Sequence, residues 1–276
     1  MYFSCPICNK QLYYTNCNHS VACENGHSFD FAKEGYLYLL PPNKKHSHAP
    51  GDDREMVTAR RRFLSAGYYQ LFSDALNAAS CRLLTNPVPV VLDAGCGEGY
   101  YTERLCAALQ QSGRQPEIFG CDISKEAIRR AVKAAPDISF AVASSFSLPI
   151  PTASTDLLTD VFAPVVPEEF ARVTKPGGYF LLAVPSTRHL FGLKEILYEK
   201  PYENEEKDTE YTGFQFLERI PVRGKLSLTG QAVQDLFAMT PYFWKTPKEG
   251  SEKLKAVSNL QTEIGFDFLV YKRQNT

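Results

Sequence analysis

An α/β fold is what this sequence predicts: an open parallel sheet covered by helices on both faces, with a small cysteine-rich module in front of it. Three observations lead there. Short β-branched runs alternate with segments of helical period from about residue 63 onward. The first of these runs flows directly into a glycine-rich turn, as a buried parallel strand does. The residues that bind metals best are crowded instead into the first 40 positions. Of 276 residues, 44% are hydrophobic and 22% charged, a balance that supports a substantial core. The 30 basic and 31 acidic side chains leave a net charge of -1, so no global field draws the chain to nucleic acid, and any such binding needs a local patch.

Three zones follow in order: a cysteine-rich module over 1–40, a basic linker over 41–62 and the α/β domain over 63–276. The linker opens on Pro41-Pro42 and carries Lys44, Lys45, Arg54, Arg60, Arg61 and Arg62, with Asp53 and Glu55 as the acidic neighbours that would neutralise a merely solvated helix face. Val88 to Leu92 reads as the first strand of the domain, Tyr101 to Leu109 as a helix, and Glu117 to Cys121 as the second strand, closing at Asp122. Ser124 suits an N-cap, and Ala127, Ile128, Ala131, Val132 and Ala135 share one helical face. Ile138 to Val142, Asp156 to Phe162 and Tyr179 to Val184 supply further strands, the last entered through the turn Lys175-Pro176-Gly177-Gly178. Beyond Pro185 only Phe266 to Tyr271 has clear strand character.

The N-terminus, Met1 to Pro6, has neither a basic start nor an apolar run, and no stretch is long and apolar enough to span a bilayer. The expectation is a cytoplasmic chain whose 8 cysteines are reduced, which favours metal ligands or packed thiols over disulfides. Cys5-Pro6-Ile7-Cys8 and Cys23-Glu24-Asn25-Gly26-His27 have C-x-x-C and C-x-x-x-H spacing, suited to a closed Cys3His zinc site of structural purpose. A module this small cannot bury enough surface unaided, whereas structural zinc contributes about 10–16 kcal/mol to folding. Cys17 and His19 lie in the intervening loop as rival ligands for the fourth position. Cys81, Cys96, Cys106 and Cys121 fall in core-like segments.

Val91-Leu92-Asp93-Ala94-Gly95-Cys96-Gly97-Glu98-Gly99 has G-x-G-x-G spacing, not the G-x-G-x-x-G of dinucleotide binders. A pyrophosphate needs a helix N-terminus against it; an amino-acid nucleoside mainly needs room and a few polar contacts. Asp122, 25 positions after Gly97, closes the next strand where a carboxylate accepts both hydroxyls of a ribose.

These residues, with Lys175-Pro176-Gly177-Gly178, resemble the Rossmann-like class I methyltransferases that use S-adenosylmethionine. The resemblance implies that the loop (Asp93, Gly95, Gly97, Glu98) holds the methionine part of the cofactor and Asp122 its ribose. The motifs Phe31-Ala32-Lys33-Glu34-Gly35-Tyr36, Gly51-Asp52-Asp53-Arg54-Glu55-Met56, Ala59-Arg60-Arg61-Arg62-Phe63-Leu64, Ala143-Ser144-Ser145, Arg188-His189-Leu190 and Met239 to Trp244 are similar to a narrower family. It is the RlmA-type 23S ribosomal RNA (guanine-N1)-methyltransferases, and the likeness runs over nearly the whole chain. It implies methylation of guanine N1 in a hairpin loop of 23S rRNA or of a large-subunit precursor. It also implies zinc in an RNA-recognising N-terminal module, further cofactor contacts from Tyr69, Tyr101, Thr102 and His189, and a homodimer.

Guanine N1 carries a proton that must leave, so a base is expected. Asp160, at the end of the fourth strand, is its candidate; Glu98 is second, being better suited to cofactor contact. Tyr242, Phe243 and Trp244 are read either as a stacking surface for a splayed base or as core packing. Two rival functions remain. A methyltransferase acting on a small molecule or protein would label a metabolite or protein extract rather than RNA. A silent RNA-binding assembly factor would bind no cofactor in calorimetry.

Overall fold

The computed structural model of the chain describes residues 3–15, 19–42, 51–206 and 210–275. Three short strands, β1 (Tyr13–Tyr14), β2 (Ser20–Ala22) and β3 (Ser28–Asp30), form an antiparallel sheet in the N-terminal segment. The segment does not stand apart. Its next strand, β4 (Leu37–Tyr38), pairs in parallel with the edge of the main sheet, and the Ser4 N–H donates to the Pro149 carbonyl at 2.8 Å. Phe3, Cys5, Leu12 and Val21 share one apolar cluster with sheet residues such as Leu92 and Phe119.

Helix α1 (Arg54–Ser65) begins at Asp53, whose carboxylate caps the Met56 N–H at 2.9 Å. Asp53 is therefore a cap rather than the neutralising partner expected of it. Arg60 pairs with Asp52, and Arg62 forms a bidentate pair with Asp235 across to a later helix. Nine of the 22 residues read as a linker are thus packed helix, and α1 as a whole buries Met56, Val57, Ala59, Phe63 and Leu64. Helix α2 (Gln70–Leu83) follows.

The sheet then builds outward from β5 (Val90–Ala94), every residue of which is buried. After α3 (Tyr100–Gln111) come β6 (Glu117–Asp122), α4 (Lys125–Ala134) and β7 (Ser139–Val142) on one side of β5. Ser124 caps α4 by accepting from the Ala127 N–H, and the expected apolar face is the buried one. On the other side lie β8 (Thr155–Val161), α5 (Pro167–Val173) and β9 (Thr174–Pro185). The Lys175–Gly178 segment, expected to precede the strand, is a bulge within it. Pairing jumps from Thr155↔Thr174 to Leu157↔Tyr179.

Past α6 (Phe191–Leu197) the sheet is no longer parallel. Two long strands, β10 (Phe214–Thr229) and β11 (Asn259–Arg273), pair antiparallel with each other, and β11 pairs antiparallel with β9. Helices α7 (Gln231–Ala238), α8 (Tyr242–Lys245) and α9 (Lys248–Lys255) connect them. The sheet is mixed, in the order β10-β11-β9-β8-β5-β6-β7-β4. β10 escapes a sequence reading because it is an edge strand, largely exposed and interrupted by Pro221 and Gly224. No helix among the described residues is long and apolar enough to cross a membrane.

Candidate functional site

Strand order reverses at β5, which has β6 on one side and β8 on the other. In open α/β sheets the carboxyl ends of such strands frame a crevice. Here they frame a cavity of about 830 Å³, within the range of small-molecule sites.

Its floor is the glycine loop. Gly95 has φ +81°, and a Cβ added there would meet the Ala163 Cβ at 2.2 Å, so the position excludes every other residue. Gly97 has φ +55° and nothing within 4 Å of where its Cβ would stand, so that a side chain there would fill cavity instead of touching protein. The loop is fixed by Asp122. One of its carboxylate oxygens accepts from the Gly97 N–H at 2.9 Å, the other from the Ser124 N–H at 2.7 Å. Each oxygen keeps a lone pair for a further donor.

Burial dominates the electrostatics. It pushes Glu98 up to about 7 against the pull of Arg61, Arg60 and Arg130, and leaves Glu98 Oε2 with no hydrogen-bond partner. It raises Asp122 as well, and Asp93 to about 6 even though the Thr102 and Thr159 hydroxyls donate to Asp93 at 2.5 and 3.0 Å. His189 is driven down to about 3 by burial and is neutral; its Nδ1 accepts from the Gly265 N–H at 3.3 Å, which assigns the ring proton to Nε2.

Most of the residues singled out by sequence meet on this wall: Tyr69, Asp93, Gly95, Gly97, Glu98, Tyr101, Asp122 and His189. Thr102 does not, its buried hydroxyl being given to Asp93. Asp160, expected at the acceptor end of the site, is not on this wall either and is fully buried. Side chains alternate along β8: Leu157 and Val161 pack into the core on the cavity side, and Thr159 meets Asp93 there, while Leu158 belongs to the opposite core. Asp160 shares that opposite parity and pairs with Leu182 of the same core. Its Oδ1 accepts from the Ala163 N–H at 2.9 Å, its Oδ2 has no partner, and burial pushes it up to about 8.

Sequence reasoning missed the roof. Arg60 donates to the Met239 carbonyl at 3.2 Å, and Trp244 Nε1 meets Met56 Sδ at 3.2 Å, so α1 and the α7–α8 connection close over the cavity together. Trp244 itself is 64% exposed, which decides against core packing for that ring. Phe162 and Phe266 also line the cavity, and no motif spacing marks them.

The second assembly lies in the N-terminal segment. One ligand atom each from Cys5, Cys8, Cys23 and His27 comes within 4.8 Å of all the others. Cys5 Sγ to His27 Nδ1 and Cys23 Sγ to His27 Nδ1 are both 3.5 Å, and Cys8 Sγ to Cys23 Sγ is 3.6 Å. A tetrahedron with bonds of about 2.3 Å has edges of about 3.8 Å, so the set fits zinc. The Lys10 backbone N–H, ahead of all other causes, lowers Cys8 to about 6, whereas burial raises Cys5; a divalent cation is what makes every thiol of such a set a thiolate. His19 is outside the cluster, and Cys17 lies outside the described residues, as do Lys44, Lys45, His46 and His48.

Comparison with known proteins agrees with both the N-terminal module and the sheet domain. The family model described as RlmA, N-terminal, matches residues 3–48, and that described as Methyltransferase domain matches residues 91–178. A putative 23S rRNA (guanine-N(1)-)-methyltransferase of Micromonospora griseorubida is 34% identical over 275 residues, 92% of this chain and 91% of that protein. A putative enzyme of the same description from Bacillus subtilis is 29% identical over 279 residues, 97% of this chain and 96% of its own. Among solved structures, a chain of the complex between a Haloferax volcanii methyltransferase activator and a putative methyltransferase has the same fold, with TM-score 0.50 and 21% identity over 82% of this chain and 100% of that one. By its zinc-ligand module, its glycine-loop cavity and its likeness to these relatives along almost all of their length, the chain belongs to the 23S rRNA (guanine-N(1)-)-methyltransferase family.

Proposed function

We propose that this chain methylates N1 of a guanine in a hairpin loop of 23S rRNA, with S-adenosylmethionine as donor. The observation that carries the reading is the cavity at the sheet's switch point, where the glycine loop and Asp122 meet a mouth rimmed by exposed aromatic rings. When bound, the cofactor supplies a methyl group on a cationic sulfur, so catalysis is chiefly a matter of positioning.

The chain's residues divide that work. Asp122 accepts the ribose hydroxyls while holding the Gly97 loop. Glu98, buried and with its Oε2 unpartnered, is placed to meet the cationic part of the cofactor, in addition to the more distant pull of Arg60, Arg61 and Arg130. Asp93 acts through the hydroxyls of Thr102 and Thr159, bracing β5 against β8 and α3. His189 offers Nε2–H as a neutral donor, and Tyr69 and Tyr101 complete the wall. Asp160 is not the acceptor of the N1 proton in this proposal, because its carboxyl is off the cavity wall; the proton leaves to water at the mouth of the cavity. The zinc module would present its exposed face to the RNA, where Ile7, Tyr13 and Tyr14 are uncovered.

The test is incubation with labelled S-adenosylmethionine and unmodified large-subunit RNA, followed by primer extension. Methylation at N1 blocks Watson–Crick pairing, so the expected outcome is one new stop at a hairpin guanine. Incorporation into protein or metabolite extract with none into RNA would replace the acceptor, and absence of cofactor binding would remove the reading altogether.

A further inference from the structure

Phe162 is one of the exposed aromatic residues at the cavity mouth, and its backbone is an anomaly that the proposed function leaves without a role. It follows β8 directly, with φ +69°, a backbone region in which a bulky side chain is an outlier. Its ring is 50% exposed on the cavity wall, so little burial offsets the strained backbone. Single exposed aromatics are ordinary; a strained one, fixed from several directions at a cavity mouth, calls for a reason.

The fixing is specific. Asp160 Oδ1 accepts the Ala163 N–H at 2.9 Å and so closes the turn in which Phe162 sits. Ala163 is pressed against Gly95, where no side chain is tolerated. The Phe162 ring leans on Phe266 at 4.7 Å between centroids and 47° between planes, and Phe266 in turn packs on His189 at 4.3 Å. A fully buried carboxyl, a glycine-only contact and an aromatic buttress thus hold one ring out toward the cavity. Carboxylates are concentrated at the glycine loop, where a cationic nucleoside fits, whereas Phe162 and Trp244 present uncovered aromatic surface to the same cavity.

We infer that Phe162 is the platform of an acceptor-base subsite, on which a purine splayed out of single-stranded RNA stacks, with Asp160 as the positioning residue that holds the platform in place. Aromatic platforms are how proteins grip unstacked bases, and every base offers them a π-face. The inference rests on the proposed RNA methylation.

The experiment uses the full chain as Phe162→Ala, Phe162→Gly and Phe162→Tyr. Cofactor affinity is read by calorimetry, stability by thermal unfolding, and kcat/KM on large-subunit RNA by label incorporation. Phe162→Ala is expected to keep cofactor affinity within about twofold of wild type and to lose roughly 5- to 150-fold in kcat/KM for RNA, the range that one lost stack covers. Phe162→Tyr should stay within a few-fold of wild type. Phe162→Gly should unfold no earlier than Phe162→Ala, because glycine relieves the backbone, and yet lose as much activity. Asp160→Leu should lower kcat/KM for RNA without changing the shape of the pH–rate profile. Wild-type RNA kinetics in Phe162→Ala would overturn the inference, as would a loss of cofactor affinity equal to the loss of activity. A wild-type protein that methylates no RNA would overturn the proposed function and this inference with it.

Discussion

Glu98→Gln isolates one buried charge at the centre of the site. The carboxyl stands at about 7 rather than 4.5, chiefly through burial, and it is 7% exposed, so solvent screening is small. That displacement corresponds to at most ~3.4 kcal/mol at about 1.36 kcal/mol per pKa unit. A carboxyl whose folded value is raised contributes stability that is complete below its unfolded value, near 4.5, and is lost as pH rises through about 7. Glutamine suffers no such loss. In the cofactor-free protein the variant should therefore gain on wild type between pH 4.5 and 8, by up to ~7–14 °C in unfolding midpoint if about 1 kcal/mol is worth 2–4 °C. Cofactor binding reverses the sign, because a cation favours the ionised carboxyl. Wild-type affinity should tighten about tenfold from pH 6 to 8, the ratio of ionised fractions around a value near 7, while the variant stays flat. The assays are thermal unfolding across pH and calorimetry at the two pH values. Parallel unfolding curves together with pH-independent wild-type affinity would refute the reasoning.

Three further outcomes are expected. Gly95→Ala drives a methyl into Ala163 at a positive φ, so it should cost roughly 2–5 kcal/mol and abolish cofactor binding; Gly95→Ala with Ala163→Gly should recover part of the stability, as read by denaturant unfolding. Asp160→Asn removes a carboxyl held at about 8, so wild type alone should lose stability as pH rises from about 4 to about 8, seen as diverging midpoints in the cofactor-free protein. Cys8→Ser, or a strong chelator, should release one zinc per chain by elemental analysis and unfold the N-terminal segment. Because β4 is part of the main sheet, the midpoint of the whole chain should fall with it.

The legible parts of the site were those set by local chemistry. Gly95 announces itself because positive φ and close approach admit nothing else, Gly97 because its positive φ favours glycine, and Asp122 because strand length fixes where an acid after the second strand must stand. The ligand pairs around Cys5 and Cys23 are legible because four donors within one short segment have few ways to close. The face on which Asp160 stands is not legible, because proximity to the end of a strand says nothing about it. The parity of β8 turns that carboxyl away from Asp93 and toward the core containing Leu182. The roof was illegible because Arg60 and Met239 meet from positions 179 residues apart.

By itself, then, the sequence determined the metal module, the glycine loop with its acidic partner, the parallel half of the sheet and the family to which the chain is similar, all of them written in short-range spacing and periodicity. Tertiary structure alone decided that β10 and β11 make the sheet mixed and that the module's last strand is annexed to its edge. It also decided which buried acids face the cavity and that Phe162 is held strained and open at its mouth. Those features depend on which strands become neighbours and which way each side chain turns, and both are set by burying apolar surface contributed from distant parts of the chain.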